Sequence, residues 1–125
     1  MQIQDHKLVG IPFKASPNIG GILKPQYLIQ HFDASPNATG AITWMQSTQS
    51  KVSAHIHVDR EGNITQLVPF NRIAWHAGVS EWRGLVGLNS RSLGIEIQNT
   101  GSQEYTSRQM GAVGKVSKIL VEYYK

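Results

Sequence analysis

The apolar positions of this chain fall into short runs with two periods, and those runs predict its elements. Tyr27-Leu28-Ile29-Gln30-His31-Phe32 is a continuous β-prone stretch of central-strand character, ended by the turn-forming Asp33-Ala34-Ser35-Pro36-Asn37. From about Ala38 to Thr48 the period lengthens: Ala38, Ile42 and Met45 share a helical face, with Asn37 as N-cap. Val52 to Val58 and Asn63 to Val68 read as two antiparallel strands joined by the turn Asp59-Arg60-Glu61-Gly62. Leu93-Gly94-Ile95-Glu96-Ile97 alternates, which puts Leu93, Ile95 and Ile97 on one face of a strand and Gly94 and Glu96 on the other. A last helix opens at Thr106 or Ser107, with Met110, Val113, Val116, Leu120 and Tyr123 or Tyr124 on its buried face. Gly111 and Gly114 lie inside it, each costing about 1 kcal/mol relative to Ala, and close packing against the sheet is the expected compensation. The helix runs to Lys125 without a C-cap signal, so the sequence is expected to be cut short there. Met1 to Pro25 reads as an irregular lead-in arm with a short edge strand around Leu8, Val9 and Ile11.

Length and composition narrow this picture. At 125 residues the whole chain, 1–125, is expected to be one domain with a core of its own. The absence of cysteine removes disulfides and thiolate-held metals, so any metal must be bound by imidazole and carboxylate. A net charge of +4 favours an anionic partner, but the twelve basic residues are scattered among eight acidic ones. With no basic stripe and no recognised motif, nucleic acid is not the expected partner. No run approaches the ~20 apolar residues of a bilayer span, and Met1 to Gly10 lacks an apolar core after a basic start, so no membrane partner is expected. The compartment is open between the cytoplasm and release by a route without a signal.

Candidate chemistry concentrates between Arg72 and Asn99, where an imidazole, two tryptophans, an arginine and a strand-borne carboxylate occur together. Glu96 stands alone opposite an aliphatic face, with Gly94 leaving open space beside it. It is either a solvated carboxylate or a general base whose pKa is raised by desolvation. His31 falls at the C-terminal end of its strand, where open α/β sheets present functional groups. Ser53, His55 and His57 share a strand face, so the two imidazoles form either a metal pair or hydrogen-bonded histidines of the core.

Four segments taken together carry a resemblance. They are Ala15-Ser16-Pro17-Asn18; Tyr27 to His31; Val52-Ser53-Ala54-His55 through Asp59-Arg60-Glu61-Gly62-Asn63 to Gln66-Leu67-Val68-Pro69; and Ala74-Trp75-His76-Ala77-Gly78-Val79-Ser80 through Asn89-Ser90-Arg91-Ser92 to Ile95-Glu96. In this order they resemble the zinc-dependent N-acetylmuramoyl-L-alanine amidases of the type 2 class, related in fold to peptidoglycan recognition proteins and phage amidase lysozymes. The resemblance implies an α/β (α+β) fold: a mixed, mostly antiparallel central sheet flanked by helices. It also implies hydrolysis of the amide between muramic acid and L-alanine, with peptidoglycan or muropeptide as substrate and zinc as cofactor. By position His31 matches the family's first zinc ligand and Glu96 the acid that works on the zinc-bound water. A zinc ion with three protein ligands lowers the pKa of its water from ~15.7 towards ~7 and needs a carboxylate nearby to move the proton. Trp75, His76, Trp82, Asn89 and Arg91 are expected to bind substrate, His76 as cleft wall and not as a ligand. The family's other two ligands follow the C-terminal helix and have no match here. The resemblance therefore allows two expectations, a truncated amidase or a short form that binds wall fragments without cutting them.

Overall fold

The computed structural model describes the backbone of residues 1–77, 81–82 and 85–125 and the side chains of residues 1–77 and 87–125. In chain order the elements are β1 (Ile3–Gln4), β2 (Lys7–Leu8), β3 (Ile19–Ile22), β4 (Tyr27–Phe32), α1 (Ala38–Met45), β5 (Ile56–Val58), β6 (Ile64–Gln66), β7 (Arg72–Ala74), β8 (Glu81–Trp82), β9 (Leu85–Val86), β10 (Ser92–Ile97) and α2 (Ser107–Tyr124). A short 3-10 turn at Leu88–Ser90 leads into β10.

The expected mixed sheet flanked by helices is present, but its centre is more parallel than antiparallel. The strand order is β4-β10-β5-β6, with β10 parallel to both neighbours and only β5 and β6 antiparallel. Antiparallel pairing joins segments close in sequence in the β5–β6 hairpin and the ribbons β1–β2 and β8–β9, and distant ones in the β3–β7 ribbon. Hairpins follow from turn residues close in sequence, whereas β10 reaches its place between β4 and β5 only because both of its faces find cover there. One face carries Leu93, Ile95 and Ile97 against Val113, Val116 and Leu120 of α2, with Ile56, Val58 and Phe70 in the same cluster. A second cluster, Ile42, Met45, Ala54, Leu67, Val68 and Ala74, holds α1.

Several boundaries differ from expectation for identifiable reasons. The strand expected from Val52 begins at Ile56, because the backbone of Ser53 pairs instead with Trp75, whose carbonyl accepts its N–H at 3.0 Å. Helix α1 stops at Met45, short of Thr48, and the Asn37 side chain caps it as expected. The lead-in arm is more ordered than expected: Asp5 and His6 take left-handed φ angles of 50° and 61° to turn the β1–β2 ribbon, and β3 pairs with β7.

Helix α2 starts with a reciprocal capping box between Thr106 and Gln109. The box rotates its first turn so that Gln109, not Met110, is buried, donating to the Gln98 carbonyl at 2.8 Å. Met110 and Tyr123 are exposed at 39% and 54%. Gly111 and Gly114 meet nothing within 4 Å of where a Cβ would stand, so sheet packing is not what compensates them. The glycine the fold does need here is Gly62, with φ +86° and only 2.8 Å between a built Cβ and the Arg108 carbonyl oxygen. That close approach docks the hairpin turn on the first turn of α2. Among the described residues no helix is long and apolar enough to cross a membrane.

Candidate functional site

The parallel register of the central sheet places three ionisable residues in one row. Glu96 of β10 pairs with His31 of β4 on one side and with His57 of β5 on the other. Register partners in a sheet point to the same face, so this row lies opposite the α2 core, near the C-terminal ends of β4 and β10. The period-2 separation read from Leu93 to Ile97 is therefore the separation between core and site.

Beside the row lies a cleft of about 480 Å³. Phe32, Trp44 and Trp75 supply its aromatic wall, and Asp33, His76 and Glu96 its polar one. Burial, and then the nearby Asp33 carboxylate, push the Glu96 pKa up to about 8. A carboxyl group so placed exchanges its proton near neutrality, as a general acid or base requires.

The other side chains of this face are fixed by hydrogen bonds. His55 is fully buried between two backbone groups: the Gly94 N–H donates to its Nδ1 at 3.0 Å, and its Nε2–H donates to the Arg72 carbonyl at 2.7 Å. Burial is the main reason its pKa falls to about 3; the Arg72 carbonyl opposes this and His76 adds to it. His57, also buried, meets the Asp33 carboxylate at 2.8 Å, and the other oxygen of Asp33 accepts from the N–H groups of Ser35 and Asn99, each at 3.0 Å. The two histidines thus have separate, satisfied partners and do not form a metal pair.

His76 occupies the space that the sequence leaves beside Glu96. A Cβ on Gly94 would stand 2.4 Å from His76 Cγ, so only glycine lets the imidazole lie against the strand. Its Nδ1 is 3.0 Å from His31 Nε2, and its Nε2 is 3.3 Å from the Ser92 carbonyl and 3.2 Å from the Ser92 hydroxyl. Burial first, then the neighbouring His31, lower its pKa to about 4, against the opposing pull of the Ser92 carbonyl. Burial also lowers the pKa of His31.

The remaining expected site residues separate. Trp75 lines the cleft. Asn89 holds the framework instead: its Oδ1 accepts from the backbone N–H of His76 at 3.1 Å and of Ala77 at 2.7 Å. Arg91 borders a different depression, with Lys24 and Gln26, at the far end of β10 from Glu96. The Trp82 side chain lies outside the described residues. Sequence reasoning missed Asp33, taken only as a turn former, and Trp44, which projects from α1 at 56% exposure. A tryptophan off the buried stripe of a short helix was the available signal.

A zinc site built on His31 finds no complement here. Among the described residues no group of three histidine, aspartate, glutamate or cysteine side chains is placed to hold a metal ion. His31 and His76 face one another and no third donor joins them, so the described side chains do not by themselves fit zinc.

Comparison with known proteins agrees with the geometry. The chain is 42% identical over 74 residues to 1,6-anhydro-N-acetylmuramyl-L-alanine amidase AmpD of Escherichia coli (strain K12), a match covering 59% of this chain and 40% of that protein. A similar match to AmpD of Haemophilus influenzae reaches 38% identity over 76 residues, 61% of this chain and 41% of that protein. The chain thus spans about 40% of the length of the curated relatives it matches. Among solved structures, a selenomethionine derivative of AmpD superposes with a TM-score of 0.82 at 28% identity, covering 99% of this chain and 80% of that one. The E. coli amidase AmiD, solved with anhydro-N-acetylmuramic acid-L-Ala-D-γ-Glu-L-Lys, superposes with a TM-score of 0.72 at 30% identity, covering 88% and 46%. The profile described as N-acetylmuramoyl-L-alanine amidase matches residues 22–125, most of the sequence, and the chain belongs to that family.

Proposed function

We propose that this chain hydrolyses the amide between N-acetylmuramic acid and L-alanine in peptidoglycan or muropeptides. The observation that carries the reading is Glu96, a carboxyl held near a pKa of 8 on the rim of an aromatic-walled cleft. Amide hydrolysis requires a proton to leave the attacking water and another to reach the departing amine, and one group that titrates near neutrality serves both transfers. Glu96 takes the first proton in its ionised form and returns it to the L-alanine nitrogen. Phe32, Trp44 and Trp75 offer apolar faces to the sugar ring and peptide. That AmiD was solved with a muropeptide of this kind supports the choice of substrate. The family is zinc-dependent, and because the described residues do not complete a zinc site, the proton transfers above are assigned to this chain's own groups alone.

The test is incubation of the purified chain with an anhydro-muropeptide, with the released stem peptide followed by mass spectrometry. Release of the intact peptide from the lactyl carbonyl, slowed by about 10² to 10⁴ in Glu96→Gln with unchanged substrate affinity, is the expected result. Cleavage at the same rate in Glu96→Gln would remove Glu96 from the reaction. A second reading, a muropeptide-binding module without chemistry, is favoured by the lack of a third metal donor among the described residues. It predicts equal binding by both proteins and no release from either.

A further inference from the structure

The hydrogen-bond polarity around Gly94 can be worked out from its fixed end. Ser92 Oγ lies 2.6 Å from the Leu88 carbonyl, which has no hydrogen to give, so the single hydroxyl hydrogen of Ser92 is spent there. Towards His76 the Ser92 hydroxyl can then only accept, and so can the Ser92 carbonyl, at 3.2 and 3.3 Å from the same nitrogen. Two acceptors converging on His76 Nε2 require that this nitrogen carry the hydrogen. In a neutral imidazole the other nitrogen is then bare, so His76 Nδ1 presents a lone pair. That lone pair faces His31 Nε2 at 3.0 Å, and two lone pairs at this distance would repel. His31 must therefore hold its hydrogen on Nε2 and donate it to His76.

We infer that His76 is a positioning residue for His31: the relay Leu88–Ser92–His76 fixes His31 as the Nε2–H tautomer, leaving Nδ1 as its one nitrogen with a lone pair. The placement of His76 is itself over-determined. Asn89 clamps its backbone and that of Ala77, and Gly94 leaves the space that its ring fills. A ring held by its backbone at one end and by Ser92 at the other cannot rotate away when His31 meets a ligand. The hydrogen bond also keeps the His31 ring from flipping, so the same nitrogen is offered at every encounter. The use made of that nitrogen rests on the amidase reading, whereas the polarity of the relay does not.

The test is made on the ligand-free chain, uniformly labelled with ¹⁵N, at mildly alkaline pH where both rings are neutral. Long-range ¹H–¹⁵N correlation should show protonated Nε2 and bare Nδ1 in both His31 and His76. A scalar coupling across the hydrogen bond should link His31 Nε2 to His76 Nδ1. His76→Phe, which keeps a ring over Gly94 but offers no acceptor, should move the His31 nitrogens from a single tautomer to an exchange average. A proton on His31 Nδ1 in the wild type, or on His76 Nδ1, overturns the inference, and so does a folded His76→Phe whose His31 signals are unchanged. Should His76→Phe not fold, the wild-type coupling decides alone: its presence with the proton on His31 supports the relay, and its absence refutes it. Because no substrate or metal is present, this result is independent of whether the chain cleaves muropeptides.

Discussion

The two faces of β10 are made by alternate residues of one six-residue strand, and they are stabilised in different ways. Leu93, Ile95 and Ile97 pack in an apolar cluster with residues of α2, β5 and the loop carrying Phe70, and an apolar side chain of similar volume could serve there. On the other face Ser92 and the Gly94 backbone bond two imidazoles, those of His76 and His55, through directional contacts, and Glu96 stands in register between His31 and His57. The apolar face gains stability from area, without directional demands. The polar face holds three groups, His55, His76 and Glu96, whose pKa values burial moves away from those they have in water. A strand locked from behind is what allows such groups to be kept in front of a cleft.

The sharpest way to break this comparison is to truncate both faces of the strand separately. Ile95→Ala, at a fully buried position, should cost about 2 to 5 kcal/mol in chemical denaturation, through lost burial and the cavity left behind. Glu96→Gln should retain the fold and lose turnover as described above. If Ile95→Ala proved harmless, or Glu96→Gln unfolded the chain, the division of labour between the faces would be wrong.

The pH dependence of stability separates the faces next, since the shifted groups lie on one of them. His55 and His76, with native pKa values near 3 and 4 against about 6.5 unfolded, refuse protons that the unfolded chain accepts. Their effect is a loss of stability as pH falls below 6.5. Glu96 works the other way: native near 8 and unfolded near 4.5, it binds a proton that the unfolded chain releases, so stability falls as pH rises from 4.5 to 8. Between pH 4.5 and 6.5 His55 and His76, joined by His31 whose pKa burial also lowers, oppose one glutamate, so stability rises with pH there. Above 6.5 the glutamate acts alone and the slope reverses. Denaturation midpoints should therefore peak near pH 6.5. Glu96→Gln should flatten the alkaline limb, raise stability above pH 8 relative to wild type, and steepen the acid limb; an alkaline limb unchanged by this substitution would refute the raised pKa.

Smaller effects come from the glycines. Gly94→Ala should cost about 1 to 3 kcal/mol, as its Cβ displaces the His76 ring, and should disturb the His31 ring signals in the same protein. Gly111→Ala and Gly114→Ala lie on the open side of α2 and should each stabilise the chain by about 1 kcal/mol, because nothing stands where the methyl group would go. A loss of stability in either would mean that helix packing had been misjudged.

The sequence by itself determined the elements and the faces. Alternation in Leu93 to Ile97 separated core from site, the Asp59 to Gly62 turn specified the hairpin, and the order of motifs identified the family, because each of these signals is local or is carried by residue identity. Glu96 and His31 were singled out as candidates on the same kind of signal, strand position and motif. What only the tertiary structure decided was adjacency between distant segments. Parallel pairing of β10 with β4 and β5 set the row His31, Glu96 and His57, and no turn between those strands encodes it. Arg91 and Asn89 sit one and three residues before β10 and looked equivalent to Trp75, yet strand direction carries Arg91 away from the cleft and the Asn89 side chain turns to clamp the backbone of His76. Gly94 read as vacant space, and the structure fills that space with His76. A missing side chain records only that something comes close; which group arrives depends on the path of the whole chain, through hydrogen bonds and packing that one-dimensional periodicity does not contain.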